Sequence, residues 1–303
     1  MNRCFSCGQV IDGGDIHVAC AKTLFGVEYL PGIDFSLFEA PSLAQEMSGK
    51  LSISGVQPKL SMRLNRALQR LEVAPAGGEF ILKPQANTYP DLPQNENLCM
   101  AVAAALGIET PPQSLVKLKD ASFAYIIKRF DRRGQEKIHQ ESFFQILDKT
   151  DKYNGSAEEI GKAIKSVSDV PGLDVQLFWE RLLFFFLIGN GDAHLKNFSL
   201  LYYPDKGARL SPAYDIVSSK MVISAEEDSA ITINGKKNGL TGKDFLALAQ
   251  YLNIPQKAIA DRFADKQPVI QEMVSSSFLG LEAKNRLKAI VAERYQRLYP
   301  MKE

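Results

Sequence analysis

Asp192, Asn197 and Asp215 are three oxygen-bearing side chains whose order and spacing suit one reaction. The first two lie five residues apart in "GNGDAHLKNFSLL", and the third follows in "SPAYDIVS". In phosphoryl transfer one carboxylate accepts or orients the proton of the attacking hydroxyl, while an amide oxygen and a second carboxylate hold magnesium. A five-residue offset between base and amide matches the catalytic loop of protein kinases. The same residues could form an Asx-rich turn capping the apolar run "LFWERLLFFFLI" that precedes them. Polar groups crowded behind such a run are costly unless paired or bound, so the cluster asks for a ligand.

Three upstream stretches bear on which ligand. Lys83 ends the apolar strand "FILKP", where a lysine reaches phosphates as a point charge, and Glu96 in the next helix is a candidate partner. In "SISGVQPK" the small residues Ser52, Ser54 and Gly55 would let backbone amides approach an anion, although with a single glycine the stretch taken alone reads better as a plain hairpin. "KRFDRRG" marks a change from strand to helix character, and Asp131 within it could take a ribose hydroxyl or simply sit in a solvated linker. The chain order is loop, lysine, linker, base, amide, second carboxylate. That is the order of parts in a two-lobed kinase with a magnesium–ATP site.

The elements that must position these groups fall into two kinds. From Leu51 to Phe130 the pattern is strand-like around one Ala-rich helix, "NENLCMAVAAALG", stopped by Gly107 and two prolines. After Asp131, "SAEEIGKAIKSVS", "VQLFWERLLFFFLIG", "TGKDFLALAQYLN" and "GLEAKNRLKAIVAERYQRLY" all carry helical periodicity. Ser156 with Glu159, and Thr241 with Asp244, read as capping boxes. The fold class is therefore α+β: a two-lobed, protein-kinase-like fold with a small β-rich N-lobe and a larger helical C-lobe. The division is residues 1–50 as an N-terminal segment, 51–131 as N-lobe and 132–303 as C-lobe, with a hinge near 129–135.

At 303 residues, 45% hydrophobic and 23% charged, the chain has the make-up of a soluble globular protein. A net charge of +1 gives no global pull toward nucleic acid or membrane. The longest apolar run, Leu182 to Ile188, is too short to span a bilayer, and the N-terminus lacks a signal-peptide core. Four cysteines make no disulfide scaffold, so a reducing compartment is expected. Three of them, Cys4, Cys7 and Cys20, join His17 in a C-x2-C and an H-x2-C pair. Two readings stand: a structural zinc site closed by four protein ligands, or half-buried thiols in a short arm.

"SISGVQPKL", "FILKP", "NEN", "KRFDR", "HQE", "GNGDAHLKNFSLL" and "SPAYDIVS" together resemble the HipA family of serine/threonine kinases, toxins of bacterial toxin–antitoxin systems. The resemblance implies Asp192 as catalytic base, Asn197 and Asp215 as magnesium ligands and Lys83 as the phosphate-binding lysine. It also implies Phe130, Asp131 and Gln140 as nucleotide-pocket positions and Ser52 as an autophosphorylation site; Ser54, where longer members tend to have alanine, departs from the family and offers a second hydroxyl for the same modification. Fifty-one residues precede "SISG" here, whereas longer members carry an extra small subdomain there, so the match is closer to the short HipT form of the tripartite HipBST systems. On that footing ATP and magnesium are the cofactors and the location is cytoplasmic. An aminoacyl-tRNA synthetase is the implied protein substrate. The implied partners are antitoxins: a separate small protein resembling the missing subdomain, and a helix-turn-helix DNA-binding protein. Direct contact with nucleic acid or membrane is not expected. Two rival functions remain: a small-molecule phosphotransferase of the aminoglycoside or choline kinase type, and a pseudokinase that only binds its antitoxin. The four residues Lys83, Asp192, Asn197 and Asp215 weigh against the second, since a scaffold needs none of them.

Overall fold

The computed structural model describes residues 2–48, 57–86, 88–134, 136–255 and 262–300. Ser52, Ser54 and Gly55, singled out above, lie outside the described residues. The chain forms two compact units, one of residues 1–101, 111–135 and 276–280, the other of residues 102–110, 136–275 and 281–303.

The first unit is built on five antiparallel strands: β3 (Leu60–Asn65), β4 (Arg70–Val73), β5 (Phe80–Pro84), β6 (Gln113–Lys117) and β7 (Phe123–Lys128), in the order β4-β3-β5-β7-β6. Ahead of them stand β1 (Asn2–Arg3) and β2 (Val10–Ile11), and then α1 (Val18–Phe25) and α2 (Ala40–Ser48). Alternation decides the sheet's faces: Leu60 and Met62 of β3 are buried, while Ser61 and Arg63 between them are not. The register sets Lys83 of β5 opposite Tyr125 of β7. Helix α3 (Leu92–Ala105) connects β5 to β6.

The N-terminal residues pack against the sheet. Cys4, Leu24, Phe25 and Phe35 share one buried cluster with Leu60, Met62, Phe80 and Leu82 of the sheet. Burial of each such side chain is worth about 1.5–3 kcal/mol, so the arm and the sheet stabilise each other.

The second unit is mainly helical. It contains α4 (Phe143–Ile146), α5 (Ala157–Val167), α6 (Pro171–Ile188), α7 (Gly242–Tyr251), α8 (Gln267–Ser276) and α9 (Leu281–Leu298). Both capping boxes form: Ser156 N–H donates to Glu159 Oε2 at 3.0 Å, and Thr241 N–H to Asp244 Oδ2 at 2.9 Å. Helix α6 has almost no polar stripe and is buried nearly all round, as a helix at the centre of a lobe must be. Its Trp179 donates to Phe245 O at 2.9 Å, tying α6 to α7.

Beside its helices this unit holds a three-stranded antiparallel sheet. Strand β8 (His139–Ser142) pairs with β9 (Ser199–Tyr203), and β9 with β10 (Gly207–Leu210). "HQES" has neither apolar alternation nor β-branched residues, and it is extended because β9 supplies its partners. Asp174, fully buried in the first turn of α6, accepts hydrogen bonds from Ser168 Oγ (2.6 Å), Leu210 N–H (2.8 Å) and Arg209 Nη2 (3.0 Å). These bonds fix β10 against the start of α6. Among the described residues no helix is long and apolar enough to cross a membrane.

Candidate active site

Helix α6 ends because Gly189 takes the left-handed conformation, φ 72°, from which the N–H of Asn190 turns back to Phe185 O at 2.8 Å. The chain then turns at Gly191, whose N–H donates to Ser219 Oγ at 2.9 Å. A Cβ at Gly191 would stand 2.3 Å from Glu227 O, so only glycine lets this turn lie against the 226–227 backbone. The turn delivers Asp192 as an exposed carboxylate directly after a buried helix.

Asp192 Oδ1 accepts a hydrogen bond from Tyr153 Oη at 3.0 Å. Burial, and then the Asp192 charge, push the Tyr153 phenol up to about 12, so it stays protonated and donates. The Tyr153 ring meets the His194 ring edge-on, with centroids 5.4 Å apart. His194 caps a short 3-10 turn, Leu195–Asn197: its Nδ1 accepts from Lys196 N–H at 3.3 Å. Burial, and then the charge of Lys152, hold the His194 imidazole below its ordinary range, against the opposing pull of Asp192 and Asp215. Neutral His194 with Nδ1 as acceptor therefore carries its proton on Nε2.

Asn197 is fixed by the same turn, its Oδ1 accepting from His194 N–H at 3.0 Å. An amide oxygen has two lone pairs, so one remains for a cation. Asp215 is half-buried and left-handed, φ 54°, a strained conformation for a residue other than glycine. Asn197 and Asp215 offer an amide and a carboxylate oxygen, hard donors that suit magnesium and not a thiophilic metal.

Gln140, on β8, donates from Nε2 to Ser199 Oγ at 2.8 Å. Ser199 Oγ lies 3.1 Å from Tyr214 Oη, and Tyr214 Oη donates to Lys196 O at 2.9 Å. A polar chain thus runs from Gln140 to the turn that carries Asp192 and Asn197. Tyr214, Tyr153 and Glu226 are the residues sequence reasoning missed. Tyr214 had a signal, adjacency to Asp215; the others sit 39 residues before and 34 after Asp192 and had none. Glu226 Oε2 is buried without a hydrogen-bond partner among the described residues, and burial, then the Asp192 charge, raise its pKa.

In the first unit Lys83 Nζ and Glu96 Oε1 form an ion pair at 2.6 Å, with the two residues only 5% and 3% exposed. Of the three polar residues in "NEN", Glu96 is the one that meets Lys83. Phe130 is half-buried in the linker after β7. Asp131 is buried, and its carboxylate takes Arg129 Nε (2.9 Å), Arg129 Nη2 (2.7 Å) and Arg132 Nη1 (2.7 Å). Burial pushes its pKa up, but the arginines outweigh it and hold it low. A ribose hydroxyl would compete with two guanidinium groups for this carboxylate. Cys4, Cys7, His17 and Cys20 come together in the same unit.

The family profile described as HipA-like C-terminal domain matches residues 51–275. A putative kinase of Haemophilus influenzae is 28% identical over 284 residues, covering 82% of each chain. The serine/threonine-protein kinase toxin HipA of Shewanella oneidensis is 26% identical over 69% of this chain, which spans about half (53%) of that toxin. The fold matches HipA of Shewanella oneidensis MR-1, solved with HipB and operator DNA, at a TM-score of 0.70 and 21% identity over 95% of this chain and 80% of that one.

Proposed function

The chain belongs to the HipA-like C-terminal domain family, and on that premise we propose that it is an ATP- and magnesium-dependent protein serine/threonine kinase. The observation that carries this reading is the buried Lys83–Glu96 pair at 2.6 Å. Burying two charges is seldom a net gain in stability, so such a pair is retained for a task. In kinases that task is to hold the lysine where nucleotide phosphates bind.

Asp192 is the proposed base. It takes the proton of the acceptor hydroxyl as that oxygen attacks the γ-phosphorus of ATP; the bond from the γ-phosphorus to its bridging oxygen breaks and ADP leaves. Tyr153 orients the carboxylate through its hydrogen bond. Asn197 and Asp215 are the groups that would hold magnesium, which when bound neutralises charge on the phosphates. Gln140, Phe130 and the linker around Asp131 are the proposed nucleotide-pocket positions. Asp192→Asn keeps the volume and removes the base, so phosphoryl transfer should fall roughly 10²–10⁴-fold while ATP still binds. Undiminished transfer by the folded variant, in a radiolabelled-ATP assay, would remove Asp192 from this role.

Finer assignments come from the resemblance and the relatives. Growth arrest as a HipT-like toxin, an aminoacyl-tRNA synthetase as acceptor, and a HipB-like DNA-binding antitoxin as partner are proposed on that ground, as is a cytoplasmic location. Ser52 and Ser54 are the proposed autophosphorylation sites. A phosphate there would add nearly two negative charges where ATP phosphates must bind, and so would inhibit. Peptide mapping after incubation with Mg-ATP should find phosphate within residues 51–60 in the wild type and none in Asp192→Asn.

A further inference from the structure

The N-terminal arm folds so that the three thiol sulfurs of Cys4, Cys7 and Cys20 and a ring nitrogen of His17 all lie within 4.8 Å of one another. The approach to this cluster is built in detail. Cys4 to Gly8 make a tight turn: Gly8 N–H donates to Cys4 O at 2.9 Å, with Gly8 left-handed at φ 73°. Cys4 N–H donates to Gln9 O at 2.9 Å, and β1 and β2 pair on either side of the turn. His17 immediately precedes α1 and Cys20 lies in its first turn, so one knuckle and one helix start supply two ligands each.

The neighbouring groups prepare the cluster for a cation. His17 Nε2 lies 3.1 Å from Val10 O, an acceptor only, so Nε2 carries the proton and Nδ1 the lone pair. That Nδ1 stands 3.4 Å from Cys7 Sγ. The backbone N–H of His17 points at Cys4 Sγ at 3.4 Å, a contact that favours a thiolate there. Cys4, Cys7 and Cys20 are in no disulfide, and Cys4 is wholly buried.

We infer that Cys4, Cys7, His17 and Cys20 bind one structural zinc ion. Three sulfurs and an imidazole select a borderline-soft, tetrahedral cation, and four protein ligands leave no position open for chemistry. The ion's work is to brace the first unit. The knuckle residues between Cys4 and Cys7 cover β6, which is an edge strand. Leu115 N–H donates to Phe5 O at 3.1 Å, Ser6 Oγ to Gln113 O at 2.7 Å, and Gln113 Nε2 to Ser6 O at 3.0 Å. Phe5 O also accepts from Asn97 Nδ2 at 2.8 Å. Asn97 follows Glu96 on α3, so the knuckle anchors that helix one residue from the partner of Lys83. Only this last consequence, an effect on transfer, rests on the kinase reading; the metal site does not.

The test is a metal analysis of the full chain purified under reducing, chelator-free conditions. About one equivalent of zinc is expected in the wild type, in Asp192→Asn and in Cys99→Ser, the cysteine outside the cluster. Cys20→Ser should lose most of the zinc. If that variant proves insoluble, cobalt added to wild type stripped of metal should give the visible spectrum of tetrahedral thiolate ligation. Hydrogen exchange at the Leu115 amide should also quicken when a strong chelator is added. Wild type without stoichiometric metal, or Cys20→Ser that keeps it, would overturn the site. Wild type that came through purification without zinc yet transferred phosphate with Mg-ATP would overturn the site alone, whereas a zinc-loaded chain without transfer would overturn only the kinase reading.

Discussion

At the scale of single residues, the structure separates two kinds of buried or bonded charge. Tyr153 acts through Asp192: Tyr153→Phe keeps the ring against His194 and removes the O–H bond to the carboxylate. A hydrogen bond to a charged group is worth about 1.5–3 kcal/mol, so kcat should fall about 10- to 100-fold with the KM for ATP unchanged, as steady-state kinetics would report. An unaltered kcat would show the bond to be incidental. Lys83 differs because both partners are buried. Lys83→Met removes the cation of the buried pair and should cost about 3–5 kcal/mol in denaturant melts. Lys83→Met with Glu96→Leu should recover most of that stability and none of the activity, which distinguishes a catalytic ion pair from a structural one.

At the scale of elements, the end of α6 positions the turn that carries Asp192, the proposed base. Gly189 is left-handed, and a Cβ there would stand 2.9 Å from Ile290 Cγ2 and 3.2 Å from Lys220 Cβ. Gly189→Ala should therefore lower stability by about 1–2 kcal/mol from the backbone conformation alone. It should also reduce phosphoryl transfer by more than the loss of folded protein explains, because Asp192 lies three residues on. Activity measured well below the melting temperature checks this; full activity there would mean that the turn tolerates the shift. The helices and their caps were legible at this scale because periodicity and capping boxes are local. Strand β8 was not, since its extended form depends on β9, fifty-nine residues away from Gln140 to Ser199.

At the scale of the whole molecule, acid sensitivity follows from three buried aspartates. Asp131 is held by Arg129 and Arg132, Asp228 by Arg294 and Arg297, and Asp244 by Lys236 and Asn234. In each, burial pushes the pKa up but the partners outweigh it, and Asp244 is lowered from 3.8 to about 2. A depressed folded pKa means that the unfolded chain binds protons first as pH falls. The stability these groups supply is thus complete above their ordinary range and lost as pH drops through the folded values. Denaturant melts should show stability declining below pH 3.8 toward about 2, and Asp244→Asn should flatten that decline while lowering stability at neutral pH. An equally steep acid limb in the variant would assign the loss to other groups.

What the sequence determined by itself was whatever is encoded locally or by order along the chain. The helical stripes, the strand "FILKP", the spacing of Asp192, Asn197 and Asp215, and the pairing of C-x2-C with H-x2-C all sit within short windows. The tertiary structure decided what depends on distant residues sharing space. It alone set Glu96 and not its asparagine neighbours against Lys83, brought Tyr153 to Asp192, and gave the Asp131 carboxylate to two arginines. It also packed the N-terminal arm against the core of the sheet. The physical reason is that a local pattern fixes which face a side chain takes, whereas burial and pairing depend on partners that no neighbouring residue encodes.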